Sequence, residues 1–375
     1  MKLPTNLVDI GYFKLYLYSV KIEYMSKHFR QLTVKEVIKE TQEAVSIVFD
    51  IPNDLAAEFK YKAGQYLTIK ADINGESVRR SYSLSSSPSV DTVLKVTSKK
   101  VENGKMSHYL YDRVKAGDVL EVMPPEGNFI VETDAIRANS YVLFAAGSGI
   151  TPIMSILKTV LEEEPRSKVK LVYGNRTVNE IIFYEELKSL ATHFDGRLEV
   201  QHILSQGSLE GGISNTRINS SIISATVSNQ GTDAIYYICG PEGMIKSTEE
   251  ALKAANVAKD HINIEYFTSS AVDTGKDTVY EGNENEVTII LDGDEFKIEL
   301  NDGETILMAA DRAGIDPPYS CQSGVCTTCK AYVKQGKIDM GESFALDDEE
   351  IEEGFILTCC SRPASAGVII SYDDI

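Results

Sequence analysis

Residues 32–131 alternate apolar and polar positions in short runs: LTVKEVIKE, AVSIVFDI, QYLTIKADI, VLKVTSKK and DVLEVMPPEG. A period of two belongs to half-buried strands. Asn74-Gly75, Asn103-Gly104 and Pro124-Pro125 punctuate them as turns, and only SHYLYDRVKAG reads as a helix. Many short strands with one helix predict an antiparallel β-barrel. Near residue 138 the pattern changes. The apolar run SYVLFAAGSG leads into TPIMSILKTVLEEE at helical spacing, and KVKLVYGNR, FYEELKSLATHF, LEVQHILS, AIYYICG and GMIKSTEEALKAANV continue the series. Strands alternating with helices predict βαβ units around a parallel sheet. SAVDTGKDTVYEGNE, residues 270–284, is polar and aperiodic, as linkers are. Beyond it, EVTIILDGDEFKIEL holds two strands about an Asp-Gly turn, and ETILMAADRAG a helix. The expected division is a barrel over 28–134, an α/β parallel-sheet domain over 135–269 and an α+β domain over 285–375. No internal repeat or low-complexity tract is present.

Composition supports that division. At about 100–200 residues per domain, 375 residues make two or three. Hydrophobic residues at 43% and charged residues at 25% are ordinary globular usage, enough for several cores. The net charge, 37 − 56 = −19, argues against nucleic-acid binding through counterion release and suits docking to basic proteins. No uncharged apolar run reaches the ~18 residues of a membrane span. Residues 1–27 form an N-terminal extension that lacks the basic n-region and cleavage site of a secretory signal. With a second methionine at Met25, it reads as sequence upstream of the true start or as a loosely packed arm.

Cysteine placement changes the picture most. Cys239 stands alone, whereas Cys321, Cys326, Cys329, Cys359 and Cys360 crowd the last 55 residues. A disulfide framework would spread them through a short secreted chain, so metal binding in a reducing cytoplasm is the expectation. Cys321-x4-Cys326-x2-Cys329, with a fourth cysteine after 29 intervening residues, is the plant-type [2Fe–2S] spacing. Cys359 keeps that spacing, with Cys360 as its neighbour. The small residues of QSGVCTTC let backbone N–H groups approach the sulfurs and tune the potential. A structural zinc site is the alternative, and a four-residue first gap fits it poorly. SCQSGVCTTC…ILTCCSRP resembles a plant-type ferredoxin module of the β-grasp fold.

Five further motifs occur in the order known from the ferredoxin–NADP reductase superfamily, which the chain resembles from about residue 30 onward. Arg80, Tyr82, Ser83 and Leu84 match its R-x-Y-S-[LT] motif. An arginine there offers a donor fork to the flavin phosphate, and the resemblance sets Tyr82 along the flavin and Ser83 near N5. Gly104, Lys105, Met106 and Ser107 match its pyrophosphate motif at a helix N-terminus, which favours FAD over FMN. Ser107 also reads as a plain N-cap. Gly147, Ser148, Gly149, Ile150, Thr151 and Pro152 match its pyridine-nucleotide loop, and Cys239, Gly240 and Pro241 its CGP motif beside the nicotinamide. Glu265-Tyr266-Phe267 matches E-x-F, with Phe267 covering the flavin face or merely packing.

The order flavin, nucleotide, ferredoxin is that of reductase components of the phenylacetyl-CoA epoxidase type. The resemblance implies an NAD(P)H-dependent oxidoreductase passing electrons through FAD and a [2Fe–2S] cluster to a partner oxygenase. Ser83 and Cys239 are the side chains it places at the reacting atoms. A general ferredoxin-type reductase or a redox-sensing hub without a dedicated oxygenase stays open. Arg176, ending YGNR, and Arg217 are candidates for the 2′-phosphate of NADPH. Ser205-Gln206, where related enzymes carry Ser-Arg, lacks a cation, so a narrow preference for NADPH over NADH is expected. Arg176 also reads as a solvated strand end.

Overall fold

The computed structural model describes residues 29–267 and 285–375. The expected extension and linker lie outside the described residues. Strands β1 (Arg30–Lys39), β2 (Ala44–Asp50), β3 (Tyr66–Ile73), β4 (Glu76–Ser83), β5 (Leu94–Lys99) and β6 (Val119–Val122) form one antiparallel sheet in the order β4-β3-β6-β1-β2-β5. Asn74 and Gly75, at φ 58° and 82°, make the two-residue turn that pairs Ile73 with Glu76. Asn-Gly accepts that left-handed backbone at little cost. A bridge between Leu84 and Val96 joins the edges, so the sheet curls into a barrel filled by Leu32, Val45, Ile47, Leu67 and Ile69. Helix α1 (Lys105–Asp112) closes it with Met106 and Leu110.

Five parallel strands follow: β7 (Ser140–Ala146), β8 (Lys168–Asn175), β9 (Leu198–Leu204), β10 (Ile235–Cys239) and β11 (Ile262–Glu265), ordered β11-β10-β7-β8-β9. The crossover helices are α2 (Ile150–Glu163), α3 (Tyr184–His193), α4 (Ser220–Gln230) and α5 (Glu242–Ala254). Helix α4 is an addition to the sequence reading. Its serines and β-branched residues are indifferent helix formers, and its start is fixed by the Asn219 side chain accepting from the N–H groups of Ser221 and Ile222. The chain runs outward from β7 to β9, then returns to β10 on the opposite side. Strand order therefore reverses between β7 and β10, and a crevice opens there at the carboxyl ends.

The last unit holds β12 (Glu286–Leu291), β13 (Asp294–Glu299), α6 (Ile306–Arg312), β14 (Lys330–Gln335), β15 (Ile338–Met340), α7 (Asp348–Glu353), β16 (Phe355–Leu357), β17 (Ser361–Pro363) and β18 (Val368–Ser371). Its main sheet runs β13-β12-β18-β14-β16, with β12 and β18 parallel, and packs on α6 as a β-grasp. Barrel, parallel-sheet and α+β architectures thus appear in the expected order. Among the described residues no helix is long and apolar enough to cross a membrane.

Candidate functional site

Two glycine motifs meet at the switch-point crevice. Gly147–Gly149 turns from β7 into α2, and Cys239-Gly240-Pro241 turns from β10 into α5. They touch so closely that a Cβ on Gly149 would lie 2.1 Å from the Cys239 carbonyl oxygen. Only glycine fits that approach. Thr151 donates to the Ser148 carbonyl at 3.0 Å, Tyr173 donates to that of Gly147 at 3.1 Å, and Pro152 sits in the first turn, where its missing N–H costs nothing. The N-termini of α2 and α5 both open here. Cys239 is fully buried, and burial, aided by the Glu265 charge, pushes its thiol well above the ordinary range. Glu265 is its register partner on β11. Burial, with the charge of Cys321 second, pushes that carboxyl up to about 8.

On the barrel, strand alternation separates the R-x-Y-S side chains. Arg80 is exposed, donates to the Arg79 carbonyl at 2.7 Å and has no carboxylate partner among the described residues. Tyr82 is half-buried, Ser83 is buried and Leu84 lies in the barrel core. In the second motif Ser107 accepts from the Val101 N–H at 3.1 Å and donates to the Gly104 carbonyl at 3.2 Å. That serine is not the N-cap, which is Gly104; it lies inside α1 and locks the turn that precedes it. Lys105 pairs with Glu76. Met106 is buried in the barrel core, so only its backbone is available to a ligand. Beside this turn lies a groove of about 820 Å³ lined by Glu43, Lys99, Lys100, Lys105, His108 and Arg176.

Arg176 is 57 % exposed but committed: its Nε donates to Glu180 at 2.8 Å and its Nη2 to Glu43 of the barrel at 3.2 Å. Ser205 hydrogen-bonds through its N–H to the Asn175 carbonyl, and Gln206 likewise to Arg176. Arg217 is exposed and has no ion pair among the described residues. Phe267 is half-buried against the core of the parallel-sheet unit.

The cysteine loop brings five thiols together. Cys321 faces Cys326 and Cys359, and Cys359 also faces Cys329 and Cys360. Their mutual hydrogen bonds drive Cys321 toward thiolate and push Cys326 and Cys359 up. Ser323 donates its N–H to the Cys321 sulfur at 3.3 Å. Of the other thiols the Cys360 sulfur bonds Cys359, and it donates to the Leu357 carbonyl at 3.4 Å. Gln322 and Gly324 adopt left-handed backbones, and a Cβ on Gly324 would lie 2.8 Å from the Glu342 carbonyl oxygen. Among the described residues no three acidic, histidine or cysteine side chains converge on a single-ion point.

Comparison with known proteins agrees with this layout. Residues 30–130 match the oxidoreductase FAD-binding domain, 143–250 the oxidoreductase NAD-binding domain, and 289–364 the 2Fe-2S iron-sulfur cluster binding domain. One component of the 1,2-phenylacetyl-CoA epoxidase from Escherichia coli (strain K12) is 36% identical over 349 residues, covering 92% of this chain and 98% of that one. The chain belongs to the flavin and iron–sulfur reductases of the ferredoxin–NADP reductase type. The ferredoxin reductase component of 3-ketosteroid-9-alpha-monooxygenase from Rhodococcus rhodochrous is 37% identical to this reductase, covering 91% of this chain and 96% of that one. Phthalate dioxygenase reductase shares the fold at a TM-score of 0.59 and 24% identity, over 92% of this chain and 98% of that one. This reductase is thus an NAD(P)H-dependent oxidoreductase with FAD-binding, NAD-binding and [2Fe–2S] domains.

Its residues fit those groups. Crowded, mutually bonded thiols need cationic partners if they are to ionise together. A lone exposed arginine fork and a basic groove suit phosphates. Three residues escaped the sequence reading: Tyr66, Arg79 and Ser81, on β3 and β4. The Tyr66 hydroxyl lies 3.1 Å from the hydroxyls of Thr327 and Thr328, and Ser81 donates to Ser320 at 2.8 Å. Arg79 is 5 % exposed, donates to Asp316 at 2.6 Å and lies 4.3 Å over the Tyr319 ring. All three grip the segment that carries the cysteines. Their partners lie more than 230 residues away, beyond any local pattern.

Proposed function

We propose that the reductase relays electrons from NAD(P)H across the barrel to the cysteine loop, and from there to an oxygenase component of the kind its relatives serve. The carrying observation is that Val325 and Cys321 of the cysteine loop pack into the apolar cluster holding Phe144 of β7 and Ile238 of β10, the two strands that end in the nucleotide crevice. The bound groups supply the redox chemistry: hydride acceptance from NAD(P)H by FAD and one-electron carriage by the cluster. Arg80 anchors a flavin phosphate, and the backbone of Gly104, Lys105 and Met106 at the start of α1 receives the pyrophosphate. Ser83 and Cys239 face the reacting atoms. The deeply buried, protonated Cys239 packs there and does not act as a nucleophile. Gly147, Ser148, Gly149, Thr151, Pro152, Gly240 and Pro241 hold the nucleotide between two helix N-termini. Phe267 closes the flavin side.

Cys321, Cys326, Cys329 and Cys359 hold the cluster, since Cys359 faces both Cys321 and Cys329 whereas Cys360 bonds back to Leu357. Division of the chain at residues 134 and 269 is supported by the sheets, one over β1–β6, one over β7–β11 and two over β12–β18, with no strand shared between them. The two carboxylates on Arg176 blunt its charge, so Arg217 and Ser205 carry what phosphate preference there is, and NADPH leads NADH only narrowly.

The test is iron and sulfide analysis of the purified protein and its serine variants. Cys359→Ser loses the cluster and Cys360→Ser keeps it. Loss in the Cys360 variant would move the fourth ligand. Partner-dependent NADPH consumption with an epoxidase or hydroxylase component then identifies the acceptor class.

A further inference from the structure

Two loop N–H groups beside the cysteines have different fates. That of Ser323 donates to the Cys321 sulfur at 3.3 Å. That of Thr327, directly after Cys326, donates instead to the Tyr66 hydroxyl oxygen at 3.1 Å, a group of the barrel. The phenol is fully engaged. It has one hydrogen to give and two lone pairs to receive, and the Thr327 and Thr328 hydroxyls at 3.1 Å complete the set.

Tyr66 is also held rigidly. Its backbone exchanges both hydrogen bonds with Glu126 at 2.9 and 3.0 Å. A Cβ on Gly127 would lie 2.9 Å from two atoms of its ring, so the ring packs directly against that glycine. In register it pairs with Ser83, the last residue of the flavin-motif strand. Ser81 on Ser320 and Arg79 on Asp316 pin the segment leading into Cys321. The β3–β4 hairpin therefore holds the cysteine loop from both ends.

An N–H aimed at a cluster sulfur stabilises the extra negative charge of the reduced state and raises the potential. An N–H taken by a phenol does not. We propose that Tyr66 is a positioning residue that holds down the reduction potential of the cluster by drawing the Thr327 N–H onto the barrel. This rests on the reading of Cys321, Cys326, Cys329 and Cys359 as ligands. It makes the potential a property of the docked chain, set partly from the flavin side.

The test is a redox titration of the full-length holoprotein followed by electron paramagnetic resonance, on wild type, Tyr66→Phe and Tyr66→Leu. Phe keeps the ring and removes the oxygen; Leu, which also has no acceptor, serves if the barrel does not tolerate Phe. Returning one N–H to the sulfurs is worth about tenfold in electron affinity, or about 59 mV for a one-electron couple, upward. Deuterium exchange should add one strongly coupled exchangeable proton to the cluster spectrum of the variant. Tyr237→Phe is the control: it deletes another buried phenol bond, to the Ile130 carbonyl at 2.9 Å, and should leave the potential unmoved. An unchanged or lowered potential in the Tyr66 variants, or an equal rise in the control, overturns the proposal. A wild type without a [2Fe–2S] signal would instead overturn the ligand reading beneath it.

Discussion

Where the barrel meets the parallel sheet, Ala44, Ala63, Phe129 and Val131 enter the same apolar cluster as Ile153, Ile156 and Leu157 of α2. Into that seam Lys158, 3 % exposed, reaches Asp91 at 2.6 Å and Glu186 at 3.1 Å, while Ser87 bonds Thr159 and Ser155 donates to the Ser86 carbonyl. Where the barrel meets the β-grasp unit, the side chains that bond across are polar: Tyr66, Ser81, Arg79 and Asn128, the last donating to Glu350 at 3.3 Å. Among the described residues the apolar clusters of the β-grasp sheet contain no barrel residue. The first seam is built like a protein interior and the second like a docking surface. Interiors are held by shared burial, whereas polar docking surfaces are held by a few bonds whose net worth is small.

The comparison breaks first at Asp91. Asp91→Ala leaves the Lys158 ammonium buried with only Glu186, and should cost about 3 kcal/mol in urea unfolding. Lys158→Met, which removes the buried charge and leaves partly exposed carboxylates, should cost less than Asp91→Ala. If the order is reversed, the seam is not interior-like. Asp316→Ala comes next. Its carboxylate is 69 % exposed, but losing it leaves the buried Arg79 guanidinium with the Pro317 carbonyl and the Tyr319 ring, so the cost should be about 2 kcal/mol. The visible iron–sulfur absorption should then melt earlier while flavin release is unchanged. Simultaneous melting would show that the second seam is as cohesive as the first. Ser81→Ala is the mildest, at about 0.5–1 kcal/mol, for it strands one buried serine hydroxyl at Ser320. It should shift the same iron–sulfur melt by less than Asp316→Ala does.

Much of the layout was legible because the signals were local. Asn74-Gly75 gave the β3–β4 turn, and the glycine loops fell at the ends of β7 and β10. The cysteine spacing brought the thiols into one cluster. What stayed hidden was set by distant partners. Nothing near Arg176 announces that Glu43, 133 residues earlier, shares its guanidinium. Nothing in G-K-M-S shows that Met106 fills the barrel while its neighbour Lys105 faces Glu76. Helix α4 lacked a marked apolar face and is defined chiefly by the crossover it must make.

Strand β18 sits in the middle of the β-grasp sheet, parallel to β12 and antiparallel to β14, yet it is the last strand along the chain. Tyr372, just beyond it, donates to the Thr358 hydroxyl at 2.7 Å beside Cys359. On the ribosome, where residues emerge at about 5–20 per second, the barrel and parallel sheet can form while this unit still lacks its central strand. Cysteines made earlier must wait, reduced and unclosed, until β18 arrives. Closure of the cysteine site therefore waits for β18, and a nascent chain stalled before residue 368 would carry flavin but no closed cysteine site.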